Sequence, residues 1–377
     1  MSTRHDLDHA STTPLRPAAR DAVVDALGRT WGDPSRVHRD GMEARAALEE
    51  ARERVASFLG ARPREVVFTS GASESIAFAA AGAADRGGNQ VATSVEHSAV
   101  RLSAERHGDV RLAAVDRHGL VDVDALLDAV DDGTGAVHVQ WGNHEVGTIQ
   151  PVAEVVSACR DRGVLVHVDA AQAAGRLPID FSDLGADLLS VSGHKLGGPA
   201  GTGVLLIRRG VRLRPLIAGG DQELARRAGL ENVAGALGLA AAMEAIDVAG
   251  EAAEQRRLRD RLDGLVDDLE GFERYGPGAG GDGRDARLPH IVCAGIGDIE
   301  PQAVLFGLDR RGISAHSGSA CASADLEPSP VLAAMGVDAH RSLRLSVGWS
   351  STDADVDAIG AALPAVIAEL RALRPTH

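Results

Sequence analysis

The chain has 377 residues, of which 44% are hydrophobic and 25% are charged. This composition is typical of a globular protein, and the length suggests about two domains. The formal net charge of −15 disfavours binding to nucleic acid or to anionic membranes. The polar N-terminus lacks the apolar core of an export signal, and the longest uncharged apolar run, Val233 to Met243, is too short to span a bilayer. We therefore expect a cytoplasmic protein.

Short apolar runs alternate with helical patterns between residues 60 and 210. Several runs are almost wholly apolar rather than alternating, which favours strands buried on both faces of a mostly parallel sheet. Helices are predicted between them, for example at Ser73–Ala84 and Val152–Arg162. We therefore predict an α/β sheet of about seven strands. The predicted strands are Val66–Ser70, Val91–Glu96, Val110–Asp116, Ala136–Trp141, Leu165–Asp169, Leu188–Ser192 and Gly203–Arg208.

The second half of the chain predicts a smaller α+β domain. A long helical pattern covers residues 231–269, and the glycine-rich stretch at 276–283 is typical of a surface connector. Strands and helices then alternate at His290–Ala294, Pro301–Arg311, Ser342–Val347 and Asp353–Leu373. We predict a large domain over residues 15–248 and a small domain formed by residues 1–14 and 249–377.

Lys195 is the only lysine among 39 basic residues. Lysine can lose its proton and attack a carbonyl group, whereas the charge of arginine is effectively permanent. A lone lysine is therefore a candidate for chemistry, and its survival by chance is the alternative. Lys195 directly follows a predicted buried strand, and wound α/β sheets bind ligands at the carboxyl ends of their strands.

Other strand ends carry polar residues that fit the same site. Ala72 and Ser73 begin a predicted helix, whose free N–H groups favour a phosphate, although Ser73 could simply cap that helix. Asp169 ends an apolar strand, where a carboxylate needs a cation or a strong donor such as a protonated pyridine nitrogen. His97 could stack on an aromatic ring or be structural. With Lys195, these residues predict a pocket for pyridoxal phosphate (PLP).

The three cysteines differ in their surroundings, and they are too few and too scattered for a disulfide framework or a metal site. Cys159 falls on a predicted amphipathic helix and Cys293 on a predicted strand, so both are expected in the core. Cys321 lies in HSGSACASADLEPSP, which has no apolar periodicity that would bury it. Cys321 is therefore the candidate reactive thiol.

The sequence resembles the NifS/IscS-type cysteine desulfurases, which are class V aminotransferases of the fold-type I PLP enzymes. The matching segments extend nearly from end to end of the chain. They are LDHASTTPL, FTSGASES, EHSAV, NHEVGTIQP, HVDAAQAAGRLPID, SGHKLGGPAGTG, SGSACASADLEPS and SLRLSVG. The resemblance implies a fold-type I PLP-transferase with a mostly parallel seven-stranded sheet in its large domain.

The resemblance implies a role for each matching residue. Lys195 corresponds to the Schiff-base lysine, which also moves protons on the substrate, and His97 to a ring-stacking histidine that also acts as acid–base. Asp169 corresponds to the partner of the pyridine nitrogen. Arg344, Asp33 and Asn143 correspond to the substrate-binding positions. The remaining positions that contact the cofactor in the family correspond to Ala72, Ser73, His144, Gln172, Ser192 and His194.

The resemblance also implies the reaction. The substrate would be L-cysteine and the product L-alanine, with a persulfide formed on Cys321 for transfer to a sulfur-acceptor protein. His316 is a candidate local partner for the Cys321 thiolate. A homodimer is expected, and no nucleic-acid or membrane partner. The alternatives are selenocysteine lyase, another PLP-dependent lyase or aminotransferase, and a catalytically weak sulfur-relay or scaffold protein.

Several positions depart from the family pattern. His144 stands where the family has an asparagine, and Asp33 would bring a negative charge near the substrate carboxylate unless it faces away. Asp221 replaces a glycine, and Leu230 replaces a threonine that reaches the partner subunit in relatives. These changes leave the predicted lysine chemistry intact but predict an altered substrate preference, rate or dimer contact.

Overall fold

The structure, a computed structural model, describes residues 4–278, 286–317 and 328–373. The strands in these ranges are β1 His5–Asp6, β2 Val66–Thr69, β3 Asn89–Thr93, β4 Asp109–Ala113, β5 Thr134–Gln140, β6 Leu165–Asp169, β7 Leu188–Ser192, β8 Gly203–Ile207, β9 Glu273–Tyr275, β10 Ile291–Gly295, β11 Ile313–Ser314 and β12 Ser342–Ser346.

The helices of the described ranges are α1 Pro17–Arg29, α2 Arg39–Phe58, α3 Ala72–Ala84, α4 Ser98–Glu105, α5 Val123–Asp128, α6 Val152–Asp161, α7 Phe181–Leu184, α8 Gln222–Ala225, α9 Val233–Glu244, α10 Val248–Asp267, α11 Pro301–Asp309, α12 Pro330–Ala334 and α13 Asp353–Ala372. Short 3₁₀ turns at Pro63–Glu65 and Gly193–Lys195 complete the set.

Seven strands form the main sheet in the order β2-β8-β7-β6-β5-β3-β4. The strands from β3 to β7 pair in parallel, and β8 runs antiparallel to both β7 and β2. Strands β5, β6, β7 and β8 are buried along their whole length, which explains their apolar sequences. The predicted fold class, a mostly parallel α/β sheet, is confirmed, and each predicted strand overlaps an observed one.

A chain of hydrogen bonds crosses four strands inside this sheet. The amide Nε2 of Gln90 donates to the carbonyl of Ala80, so its Oε1 must accept from Nε2 of His138, 2.7 Å away. This leaves Nδ1 of His138 to accept from Nδ1 of His167 at 2.9 Å. Nε2 of His167 then accepts from the Ser190 hydroxyl at 2.8 Å. All the donors point the same way, and both imidazoles are neutral.

A second core lies between the sheet β12-β10-β9 and helices α10, α11 and α13. Leu7, near the start of the chain, is fully buried in it beside residues such as Leu258 and Ile359. The division into domains at residues 14/15 and 248/249 stays a prediction.

The long helical pattern over residues 231–269 is two helices, because Asp247 caps a new helix and accepts from the N–H of Gly250. The two helices, α9 and α10, meet at 72°. Among the described residues no single helix has the length and apolar character to cross a membrane, and this bent pair is the one combination that passes on length and composition.

A buried ion pair ties α2 to the edge of the main sheet. The guanidinium of Arg52 contacts both carboxylate oxygens of Glu223 at 2.8 and 2.9 Å, and each side chain is 2% exposed. Arg52 also donates to the carbonyl of Val66, and the N–H of Phe68 donates to Glu223. The three residues of Glu223–Ala225 have φ between 49° and 60°, so α8 is a left-handed turn rather than a regular α-helix, and this conformation is unfavourable without glycine. The ion pair therefore anchors a strained turn.

Candidate active site

The carboxyl ends of β3, β5, β6 and β7 surround a cavity of about 380 Å³. The starts of α3 and α4 face the same cavity, as the position of strand ends in a wound sheet predicts. The structure thus brings together most of the residues singled out from the sequence. Those that line the cavity are Ala72, Ser73, His97, His144, Asp169, Gln172, Ser192, His194, Lys195, His316 and Arg344.

The start of α3 forms an open cradle at one end of the cavity. Gly71 is the N-cap residue, and no side chain caps the helix, so the alternative that Ser73 serves as its cap is wrong. A Cβ atom on Gly203 of β8 would lie 2.5 Å from the Cα of Gly71, and only glycine permits this close approach. The free N–H groups at the start of α3 make this end of the cavity suited to an anion such as phosphate.

Lys195 and Asp169 supply the opposite charges of the cavity. Lys195 ends the 3₁₀ turn directly after β7, and Asp169 is the last residue of β6 and is 7% exposed. Burial lowers the pKa of Lys195 to about 8, although the charge of Asp169 opposes this shift. Oδ1 of Asp169 accepts from the N–H of Ala171 at 2.9 Å. A lysine with this pKa can both donate and accept a proton near neutral pH.

The amide of Gln172 is held in one orientation. Its Nε2 donates to the carbonyl of Ala10 at 2.8 Å, and its Oε1 lies 3.2 Å from Nε2 of His290. Because the oxygen faces an imidazole N–H, the second amide hydrogen of Gln172 remains available to a group in the cavity. This orientation agrees with a role as a donor to a ligand oxygen.

Two histidines form one wall of the cavity. The rings of His97 and His144 lie with their centroids 5.0 Å apart and their planes at 68°. Nδ1 of His97 accepts from the N–H of Ala99 at the start of α4. Burial, and secondarily the charge of Lys195, lowers the pKa of His97. Burial also lowers the pKa of His144 well below its usual range, so both rings are neutral at pH 7.

Arg344 points into the cavity from the middle of β12. Its guanidinium donates to the carbonyl of His144 at 2.9 Å, to Oδ1 of Asp8 at 2.8 Å and to the hydroxyl of Ser11 at 2.8 Å. Its Nε is buried and has no hydrogen-bond partner among the described residues. Arg344 thus brings a positive charge to the cavity wall, and a guanidinium is a strong charge-assisted donor to a ligand carboxylate.

Two residues predicted to bind substrate lie outside this chain's cavity. Oδ1 of Asp33 accepts from the N–H and hydroxyl of Ser35, and its Oδ2 pairs with Arg36 at 3.1 Å, so local contacts hold it near the surface. Asn143 is fully buried. Its Oδ1 accepts from the backbone N–H groups two and three residues further on, so it shapes the turn after β5.

The three cysteines are in different situations. Cys159 on α6 and Cys293 on β10 are buried, as predicted. Burial raises the pKa of Cys159 to about 11 and raises that of Cys293 further, so neither thiol is reactive at neutral pH. Cys321, the predicted nucleophile, lies outside the described residues.

Sequence reasoning did not assign roles to several residues around the cavity. Asp8 and Ser11 orient Arg344, and His290 orients Gln172. Each of them stands beside apolar residues in the segments LDHAS or LPHIV, and a polar side chain in such a setting is the signal that could have identified it.

The fold and this lysine–aspartate cavity define an α/β enzyme with its site at the carboxyl edge of a wound sheet. Residues 6–359 match the family described as aminotransferase class-V, and the chain belongs to this family. A relative from Mycobacterium tuberculosis, an "IscS-like cysteine desulfurase", is 43% identical over 385 residues, which cover 97% of this chain and 96% of the relative.

Solved structures agree with this assignment. A "NIFS-like protein" is 32% identical with a TM-score of 0.88, and the match covers 98% of this chain and all of that one. A structure titled "SspA in complex with cysteine" is 28% identical with a TM-score of 0.79, and the match covers 93% of this chain and all of that one. The predicted family and fold are confirmed, and the predicted enzyme class agrees with the names of these relatives.

Proposed function

We propose that this chain is a PLP-dependent cysteine desulfurase. It converts L-cysteine to L-alanine and leaves the sulfur as a persulfide on Cys321. The observation that carries the proposal is one cavity that is lined by Lys195, Asp169 and the guanidinium donor Arg344. An amino-acid carboxylate is the ligand that this donor fits, and the relatives named as cysteine desulfurases give the reaction.

The donor set of the cavity fits PLP. The N–H groups at Ala72 and Ser73 would hold the phosphate at the start of α3, where Gly203 lets β8 pack directly on Gly71. The carboxylate of Asp169 would hold a protonated ring nitrogen, and the spare amide hydrogen of Gln172 would reach a ring oxygen. When bound, PLP supplies an electron sink for a carbanion at the substrate's α-carbon.

The chain's own groups then bind the substrate and move its protons. Arg344 holds the carboxylate, and Nζ of Lys195, with a pKa of about 8, takes the α-proton. The neutral ring of His97 lines the same cavity, and because its Nδ1 accepts from Ala99, its Nε2 carries the hydrogen and would donate it. His144 would contribute a hydrogen bond rather than a charge, because its pKa lies well below the usual range.

The sulfur step uses Cys321. Its thiolate forms an S–S bond with the substrate sulfur while the C–S bond breaks. The electron pair of that bond passes to the β-carbon, which takes up a proton and becomes the methyl group of alanine. The product is a persulfide, and a thiol reductant or an acceptor protein removes its outer sulfur.

Exposed apolar side chains between residues 24 and 42 support the proposed homodimer. They lie on α1, the loop that follows it and the start of α2, and they are Val24 (67% exposed), Leu27 (68%), Trp31 (71%), Val37 (90%) and Met42 (56%). Clusters of exposed apolar side chains mark protein–protein interfaces. We assign this surface to a second copy of the chain.

The test is release of alanine from L-cysteine by the purified protein, with and without a thiol reductant. Wild-type protein is expected to turn over repeatedly with the reductant and about once without it. Cys321→Ala is expected to lose turnover while keeping the absorbance of bound PLP. Cys159→Ser, which changes a buried thiol away from the cavity, is the matched control and should retain turnover.

Each other outcome favours a specific alternative. Alanine release that survives Cys321→Ala would indicate a lyase that needs no enzyme thiol, such as a selenocysteine lyase. Amino-group transfer to a keto acid would indicate an aminotransferase. Absence of turnover in wild-type protein that carries PLP would favour the catalytically weak sulfur-relay protein and would contradict the proposal.

A further inference from the structure

A buried arginine lies directly behind the cavity. Arg176 follows β6 in the segment AAQAAGR, and 5% of it is exposed. Its Nη1 donates to the carbonyl of Gln172 at 3.3 Å, and its Nη2 donates to the carbonyl of Lys195 at 3.1 Å. Arg176 does not line the cavity. One guanidinium therefore joins the backbones of two residues whose side chains face the cavity from different strands.

The charge of this arginine is not neutralised by an ion pair. Throughout residues 4–278, 286–317 and 328–373, Arg176 has no carboxylate partner within 4.0 Å. The acid with the largest effect on it is Glu251, which already accepts two hydrogen bonds from Arg16 at 2.8 and 2.7 Å. Burial lowers the pKa of Arg176 to about 10, so it keeps its proton at neutral pH.

The positive charge acts on the basic groups of the site. It contributes, after burial, to lowering the pKa of Lys195 and of His194. The other charges that act on Lys195 are Asp169 of β6, Asp8 of the N-terminal segment and Arg344 of β12, and the neighbouring histidines are His97 at the start of α4, His144 after β5, His194 beside it and His290 before β10.

We propose that Arg176 is a positioning residue that fixes Lys195 against Gln172 from behind the cavity and supplies an uncompensated positive charge to the Lys195 amine. The charge keeps a larger share of the amine neutral and therefore nucleophilic. The catalytic meaning of this inference rests on the proposed function. Its test does not, because the protonation of Lys195 can be measured without substrate or cofactor.

The composition of the chain provides the assay. Because Lys195 is the only lysine, an amine reagent such as acetic anhydride reports on this side chain and on the α-amino group, and peptide mass spectrometry separates the two. The full-length protein, freed of PLP, is labelled briefly between pH 6 and pH 10. The labelling rate of Lys195 against pH then gives its pKa.

The decisive variant is Arg176→Gln, which removes the charge but keeps an amide donor. Its matched control is Arg162→Gln, which makes the same charge change at an exposed residue beyond α6. We expect Arg176→Gln to raise the pKa of Lys195 and to slow its labelling at pH 7 by at least about threefold, because each pKa unit changes the neutral fraction about tenfold. Arg162→Gln should match wild type.

A third variant separates charge from shape. Arg176→Lys keeps the charge but loses the planar fork, and peptide mass spectrometry distinguishes the added lysine from Lys195, so the Lys195 profile should stay near that of wild type. Identical profiles for Arg176→Gln and Arg162→Gln would overturn the proposal. If Arg176→Gln fails to fold, Arg176→His, which is uncharged above about pH 7.5, takes its place. If only Arg176→Lys folds, the role of Arg176 is structural and the proposal is wrong. Loss of desulfurase activity does not test the role of Arg176, because the labelling of Lys195 is measured without substrate. The proposal for Arg176 and the proposed desulfurase function can therefore fail independently.

Discussion

The neutral histidine pair inside the main sheet predicts that stability depends on pH. His138 and His167 are fully buried, and burial lowers the pKa of His138 to about 4 and that of His167 well below its usual range. A proton on Nδ1 of His138 would face the N–H of His167 and break the chain of donors that runs from Ser190 to Gln90. The native protein therefore resists a proton that the unfolded chain takes up below a pH of about 6.5.

The magnitude follows from this difference in pKa. Because the unfolded state binds more protons than the native state between about pH 6.5 and pH 4, the free energy of unfolding falls as the pH falls through this range. For His138 alone the full loss is about 3 kcal/mol, of which about 2 kcal/mol has been lost at pH 5. Above pH 6.5 this contribution is complete and does not change.

The assay is urea unfolding of wild-type protein and of His138→Gln between pH 8 and pH 4.5. The variant has a lower stability at pH 8, but it lacks one titrating group, so the gap between the two proteins should narrow by about 2 kcal/mol at pH 5. For His107→Gln, which removes an exposed histidine, the free energy of unfolding should change with pH in parallel with that of wild type. If the free energy of unfolding of His138→Gln changed with pH in parallel with that of wild type, the reasoning would be refuted.

Three further predictions concern separate parts of the molecule. Arg52→Met should lower the free energy of unfolding by about 3–5 kcal/mol in urea, because it leaves the carboxylate of Glu223 buried without its partner; a change below 1 kcal/mol would contradict this. Arg344→Gln should raise KM for L-cysteine at least about tenfold while PLP absorbance is kept, since it removes a charge-assisted contact. An unchanged KM would remove the basis for assigning the carboxylate to this residue. Trp31→Asp should shift the protein toward monomer in analytical ultracentrifugation, whereas Phe306→Asp, equally exposed on α11, should not.

The main sheet was predictable because its strands are buried on both faces. Uninterrupted apolar runs such as 203–207 leave little choice of structure. The ends of the strands were less predictable. Strand β3 ends at Thr93 rather than at Glu96, because a turn begins there in which the N–H of Glu96 donates to the carbonyl of Thr93. The cap at Asp247 likewise divides a helical pattern that is continuous in composition.

The position of a site residue could be predicted where the residue follows a strand. It could not be predicted where the residue lies in a turn. Lys195 and Asp169 follow buried strands, so their positions follow from topology. Asp33 and Asn143 lie in turns, where their own hydrogen bonds to nearby backbone groups decide which way they point. Arg176 was not predicted from the sequence, because its proposed role depends on the two backbone carbonyls that it contacts, and no sequence pattern indicates such contacts.

The ion pair between Arg52 and Glu223 has a consequence for self-association. Strand β2 is an edge of the sheet, and edge strands offer unpaired N–H and C=O groups on which another chain can add a strand. Here the two side chains take the place of a neighbouring strand, because they bind the carbonyl of Val66 and the N–H of Phe68. Loss of either partner would leave these backbone groups unpaired and open this edge to a strand from another chain.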